Sequence, residues 1–206
     1  MKLLYGTGNQ AKFLDMKQRL QSLHTKIQIV SLRELGRELP DVRESGCTPL
    51  ENARLKAQAY YQAFQMPVFS CDTGLYFDRV PDEIQPGVHV RRVHGKNLTD
   101  QEMIAYYSGL AVQYGGLKAK YQNAVCLIVD EERRFEAMTA AMESREFGII
   151  GTPHRDGITE EGFPLDCLSV DLQTGCYMND LPDGAWMKET DGFLEFFRGV
   201  VEQMQL

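Results

Sequence analysis

The chain has 206 residues, 43% hydrophobic and 25% charged, enough to bury a core without metal or disulfide staples and too apolar for wholesale disorder. Its 22 basic residues stand against 29 acidic ones, a net charge of −7, which argues against tracking a nucleic-acid polymer but leaves room for a small phosphate ligand held by two or three cations. Five cysteines without a CxxC pair suggest neither a disulfide framework nor a structural zinc, and with no signal peptide or membrane span expected the implied setting is cytoplasmic.

In chain order, the apolar run Leu3–Tyr5 ends in Gly6-Thr7-Gly8-Asn9. A helix is predicted from Asn9 or Gln10, with Phe13, Met16, Leu20 and Leu23 at helical spacing. Ile27–Val30 reads as a strand. A second helix begins near Pro49, with Thr48 as N-cap, Pro49 at N1 and Glu51 at N3, a capping-box signature. Its apolar stripe is Leu50, Ala53, Ala57, Tyr60, Tyr61 and Phe64. Val68–Ser70 reads as a strand that ends at Cys71-Asp72, just before a Thr73-Gly74 turn. Thr99, with Glu102 at N3, starts a third helix. Two long strands, Lys120–Asp130 and Arg133–Phe147, are expected to face each other across Glu131-Glu132. From Thr190 the pattern of Phe193, Leu194, Phe197, Val200 and Val201 is that of a closing amphipathic helix. Helices mixed with short and long strands point to an α/β class with a mixed sheet.

Two groups of residues have the chemistry for a site. After the first strand, Gly6 and Gly8 permit close backbone approach, Thr7 and Asn9 add donors, the helix start offers unpaired N–H groups, and Lys12 lies one turn in. This segment reads either as a phosphate cradle or as a glycine-rich turn capped by Asn9; it lacks P-loop spacing. The second group is Glu44, Glu51 and Asp72. Magnesium commonly uses one or two protein carboxylates plus substrate phosphates, which Glu44 and Asp72 fit if the fold brings them together. Glu51 is explained by its capping position, Glu44 also reads as a solvated loop carboxylate, and Lys56 taken alone is a surface lysine. His24, His89, His94 and His154 lack metal spacing and read as surface or packing residues.

Taken in order, Thr7, Asn9 and Lys12, then E-S-G-x-T-x-x-E-N-A-x-x-K-A from Glu44 to Ala57, then D-T-G-L from Asp72 to Leu75, then P-G-V from Pro86 to Val88 form a distinctive series. It resembles the inosine triphosphate pyrophosphatase family, which removes non-standard purine nucleotides from the precursor pool. The resemblance is good over residues 1–92, weaker to about 166, and poor beyond. It implies an elongated, twisted mixed β-sheet with flanking helices forming two lobes around a central cleft, usually in a homodimer, the chain being a single domain over 1–206. It implies Mg2+-dependent hydrolysis of a nucleoside triphosphate to the monophosphate and pyrophosphate. Carried onto this chain, Thr7, Gly8, Asn9, Gln10, Ala11 and Lys12 would cradle the triphosphate, with Lys56 as a second cation. Glu44 and Asp72 would hold magnesium, Asp72 would activate water, and Thr73 would contact the nucleotide.

Three departures from the family pattern stand out. The first of two consecutive acids is here Cys71. The G-F-x-aromatic-D segment is Gly162-Phe163-Pro164-Leu165-Asp166, in which Phe163 would stack on a base and Asp166 would read its edge, but Leu165 replaces the aromatic. The Ser-His-Arg near the family's C-terminus is missing; the stretch reads Met187 to Gly192, where Lys188 would supply some positive charge. The His154-Arg155 pair precedes Phe163, not follows it, and reads as a polar turn near Pro153. Arg92, and less so Arg91, follow Pro-Gly-Val where a basic residue faces the phosphates. The losses fall on the base-reading side. The leading expectation is therefore a nucleoside triphosphate pyrophosphatase with altered base preference. A nucleotide-binding or regulatory homologue with weak or no hydrolytic activity, or a related phosphohydrolase acting on a modified nucleotide, stands as the alternative.

Overall fold

A computed structural model describes residues 1–24, 27–158, 162–182 and 191–205. The chain divides into two compact units, one made of Met1–Thr73, Gln122–Glu143 and Thr190–Leu206, the other of Gly74–Tyr121 and Ser144–Glu189. The strands β3 (Val68–Phe77) and β6 (Leu117–Ile128) contribute residues to both.

In the first unit, β1 (Lys2–Tyr5) lies between β2 (Gln28–Ser31) and β3, parallel to both, with Leu3 opposite Ile29 and Leu4 opposite Val68. The end of β6 continues this sheet beyond β3 and carries β7 (Arg134–Ala137) antiparallel on it, Cys126 opposite Glu136. Side chains alternate between the two faces of a strand, and here both faces are covered. Leu3, Tyr5, Phe69, Cys71, Val125 and Leu127 pack with α1 (Gln10–Gln21) and α4 (Gly192–Met204). Leu4, Val68, Cys126 and Ile128 pack against α2 (Pro49–Phe64). Burial on both faces explains why these strands read as short continuous apolar runs and not as alternating ones. Phe69 stacks on Tyr5 with ring centroids 4.3 Å apart and meets Phe197 of α4 edge-on at 5.0 Å. Arg19 on α1 bonds Asp191, the N-cap of α4, at 3.2 Å.

The second unit holds the end of β3, the ribbon of β4 (Arg92–Val93) and β5 (Lys96–Asn97), α3 (Asp100–Tyr114), the start of β6, β8 (Phe147–Ile149) and β9 (Ser169–Val170). The β6, β8 and β9 strands pair antiparallel, Leu117 opposite Ile149 and Gly148 opposite Val170. Thr99 and Glu102 form the expected full capping box on α3. The helix buries Met103, Tyr107, Leu110 and Ala111 in a core with Leu75, Phe77, Phe147, Ile149 and Leu168.

Two sequence expectations are corrected. Residues 71–74 are not a strand end followed by a turn: β3 continues to Phe77, and Gly74 sits inside it because a Cβ there would lie 3.1 Å from the Gly87 carbonyl oxygen and 2.7 Å from the Tyr76 ring. The partner of β6 is not one long strand over Arg133–Phe147. It breaks into β7, a 3-10 turn at Ala140–Met142, and β8, the turn falling at Ala140-Ala141, two residues of low strand preference. Each expected helix starts within two residues of its expected position. Among the described residues, no helix is long and apolar enough to cross a membrane.

Candidate active site

The loop after β1 is shaped by one obligatory glycine and one that leaves space. The Gly6 N–H donates to the Phe69 carbonyl at 2.8 Å, and a Cβ on Gly6 would collide with Ser70 Oγ and the Tyr60 ring. A Cβ on Gly8 would meet nothing within 4 Å. Thr7 Oγ1 accepts from the Asn9 N–H, and Asn9 Oδ1 accepts from the Lys12 N–H, each at 3.2 Å. Asn9 is thus the N-cap of α1. The cap and the cradle are compatible: the N–H groups of Gln10 and Ala11 have no acceptor among the described residues, and the first turn of α1 carries no acid to offset its positive end.

On α2, Thr48 Oγ1 accepts from the Glu51 N–H at 3.3 Å, as a cap should. The Glu51 carboxylate reaches one residue further back than expected, accepting from the Cys47 N–H at 2.7 Å. Gly46 lies so close to the helix start that a Cβ would come within 2.8 Å of Asn52 Oδ1, and its N–H donates to that oxygen at 2.8 Å. The loop carrying Glu44 is thereby fastened to the helix. One turn along α2, Lys56 projects to the sheet, its Nζ 2.6 Å from Asp72 Oδ1 and 3.1 Å from Glu44 Oε2. Asn52 Nδ2 donates to the other Asp72 oxygen at 3.2 Å. Glu44, Lys56 and Asp72 therefore converge, and Lys56 is no surface lysine.

The electrostatics follow from this packing. Burial works against the Lys56 charge, but the Asp72 and Glu44 carboxylates outweigh it and hold its pKa above the ordinary lysine range. Lys12 differs: burial and the nearby Lys56 charge lower its pKa, the carboxylates only partly opposing them, and it forms no ion pair among the described residues. Burial pushes the Cys71 thiol up to about 12, so the residue in the place of an acid is neutral. No three His, Cys, Asp or Glu side chains gather as a metal-holding group among the described residues.

Thr73 takes a different direction from Asp72. Alternation along β3 turns it toward the face of Phe69 and Cys71, where its hydroxyl donates to Asn123 Oδ1 at 2.8 Å. Asn123 Nδ2 in turn donates to the Met142 carbonyl at 2.7 Å. Asn52 and Asn123 were both missed from the sequence. For Asn52 the sequence offers only its position, an amide one residue before Ala53 of the apolar stripe; its burial to 2% exposure, where it needs partners, is seen in the structure. Nothing marks Asn123 within its strand.

The other expected residues belong to the second unit. Arg92 is exposed in the β4–β5 ribbon, while Arg91 is bonded to Asp100 at 2.7 Å. Phe163 is half-buried and closes a turn by accepting from the Asp166 N–H at 3.2 Å. Burial, then the Asp166 carboxylate, raises the pKa of Tyr121. Leu165, in the position of the missing aromatic, is 3% exposed and part of the core, so it offers no stacking surface. His154 is in a turn as expected but buried, its ring against Tyr177 and its Nε2 3.2 Å from Asp180. Lys188 lies outside the described residues.

Comparison with known proteins gives the chain its relatives. Over 173 residues the chain is 30% identical to a dITP/XTP pyrophosphatase of Hydrogenobaculum sp. (strain Y04AAS1), covering 79% of this chain and 78% of that one. It is 34% identical over 104 residues to a dITP/XTP pyrophosphatase of Aquifex aeolicus (strain VF5), covering 50% of this chain; there the match spans about half of the relative's length, 48%. Its fold is similar to a HAM1 protein from Coxiella burnetii, with a TM-score of 0.72 at 21% identity over 98% of this chain and 99% of the other. It is also similar to the Staphylococcus aureus Ham1 protein, with a TM-score of 0.69 at 20% identity over 99% and 100%. The Ham1 family model matches residues 3–168, which include every motif from Thr7 to Asp166, and the chain belongs to that family.

Proposed function

We propose that this chain hydrolyses a nucleoside triphosphate of the non-standard purine class to the monophosphate and pyrophosphate, with Mg2+. The observation that carries the reading is the convergence of Lys56, Glu44 and Asp72 near a helix start whose Gln10 and Ala11 N–H groups, like the Lys12 ammonium, have no partner among the described residues. The relatives' names supply the class of substrate.

Each group has work that suits its chemistry. Phosphoryl transfer depends on positioning and on neutralising charge at the phosphate oxygens. The Gln10 and Ala11 N–H groups and the Lys12 and Lys56 ammoniums neutralise the triphosphate. The open side of Gly8 lets the phosphates approach the backbone. Asp72, with one oxygen fixed by Asn52, orients a water and accepts its proton as the oxygen attacks phosphorus and the α–β anhydride bond breaks, pyrophosphate leaving. The donor set fits magnesium, because two carboxylate oxygens already converge on a single cationic point, the Lys56 ammonium. When bound, the ion supplies Lewis acidity at the phosphate oxygens. In this reading Arg92 adds charge, Phe163 stacks on the base and Asp166 reads its edge, while the protein assembles as a homodimer in a reducing cytoplasm that suits its five free cysteines.

The test is a panel of ITP, XTP, dITP and the standard nucleotides with Mg2+, products identified. Pyrophosphate release is expected, and none from any of them sinks the proposal. Asp72→Asn should lower kcat by roughly 10²–10⁴-fold with nucleotide binding retained. One observation favours a second reading, a nucleotide-binding protein with weak hydrolysis: a neutral Cys71 stands where the family has an acid. Tight binding without turnover under excess Mg2+ would establish that reading instead.

A further inference from the structure

Lys56 occupies a position that a divalent ion would need. Its Nζ is 2.6 Å from Asp72 Oδ1 and 3.1 Å from Glu44 Oε2, and these are the carboxylates proposed for magnesium. An ion bound to them at about 2.0–2.1 Å would lie within a few ångströms of the ammonium, where like charges in a poorly hydrated setting repel strongly. The setting is poorly hydrated: Asp72 is 8% exposed and Asn52, against it, 2%. One of the two cations must leave.

The charges indicate which one stays in the free protein. Glu44 and Asp72 contribute −2 and Lys12 and Lys56 contribute +2, so the group is formally neutral and exerts little net pull on a divalent ion. No further anionic ligand helps, since the neighbouring position 71 is a cysteine whose side chain packs in the core on the other face of β3. A triphosphate changes this by bringing several negative charges and a second anionic partner for Lys56. The ammonium has a way out, because the Glu44 side of the group is open, with 41% of that side chain exposed. We infer that Lys56 is the resident cation of the Glu44–Asp72 pair, and that a divalent ion enters only with the nucleotide, as Lys56 moves from the carboxylates to the phosphates.

This inference rests on the proposed metal role of Glu44 and Asp72, and the experiment separates the two. Mn2+ is titrated into the nucleotide-free full chain, with bound ion counted by electron paramagnetic resonance, for wild type, Lys56→Met, and Lys56→Met combined with Glu44→Gln. Wild type should show no saturable site up to low millimolar Mn2+, and Lys56→Met should bind at least about tenfold more tightly, as expected when a competing buried cation is removed. The double variant should lose that gain. Equally tight binding by wild type and Lys56→Met overturns the inference and leaves the metal site standing. Binding by neither, with or without an α,β-methylene nucleoside triphosphate, overturns the metal assignment and the inference with it. If Lys56→Met does not fold, wild type alone decides. One Mn2+ site appearing only with an α,β-methylene nucleoside triphosphate supports the inference, and a saturable site without it refutes it.

Discussion

Two lysines a short distance apart are held in opposite electrostatic conditions, and the difference assigns them different work. Lys56 is stabilised as a cation by two carboxylates, whereas Lys12 is penalised by burial and by Lys56 itself. A phosphate would relieve that penalty, so Lys12 is the group whose protonation is coupled to nucleotide binding. The sign is fixed by the direction of the shift. In the free protein Lys12 loses its charge as pH rises through a value below the ordinary lysine range, and affinity for an anion falls with it. KM is therefore expected to climb on the alkaline side earlier than a normal lysine would cause. Lys12→Met should raise KM by about tenfold to a hundredfold and abolish that climb; a profile unchanged in the variant removes Lys12 from the phosphate site. Residues such as these were only partly legible. Thr7, Asn9, Lys12, Glu44, Lys56 and Asp72 stood out through their order along the chain, but spacing cannot state that Lys56 bridges two acids 12 residues before it and 16 after it. Asn52 and Asn123 act through contacts with distant segments, which a local pattern does not encode.

The elements were more legible than the contacts between them. Caps are local chemistry, so Thr48 with Pro49 and Thr99 with Glu102 located the starts of α2 and α3 directly. Strand ends depend on partners far away in sequence. That is why β3 ran on through Asp72 to Phe77 and the expected second long strand broke at Ala140–Met142. The start of α2 has a double duty, since the loop it caps carries Glu44 and is fastened by Asn52 and Glu51. Thr48→Ala should cost about 1 kcal/mol, lowering Tm by roughly 2–4 °C for a chain of this size, with kcat largely kept because Asn52 and Glu51 still hold the loop. A collapse of kcat at unchanged Tm would mean that Thr48 serves the chemistry and not the helix.

At the scale of the whole molecule, the first unit draws its core from both ends of the chain. Phe197 is completely buried, edge-on to Phe69, which neighbours Ser70 and lies three residues from Asp72 on β3. Phe197→Ala should destabilise by roughly 3–5 kcal/mol, a fall in Tm on the order of 10 °C, although no atom of Phe197 reaches the site; a change of only a degree or two would show that α4 is an appendage. The acidic balance fits the same picture. Net charge of −7 does not oppose a nucleotide, because the cations that matter are brought together from two helices, Lys12 on α1 and Lys56 on α2.

The assembly of the first unit from Met1–Thr73, Gln122–Glu143 and Thr190–Leu206 has a consequence during synthesis. The strands bearing Asp72 leave the ribosome early, yet the helix that seals their other face is translated more than a hundred residues later. Until then the face of Tyr5, Phe69 and Val125 is covered by α1 but lacks Phe197 and Val200 of α4, and non-local closure of this kind is slow and exposes sticky surface. A nascent chain halted before α4 would thus hold every proposed phosphate and metal contact of the first unit and still be a substrate for chaperones, not for nucleotides.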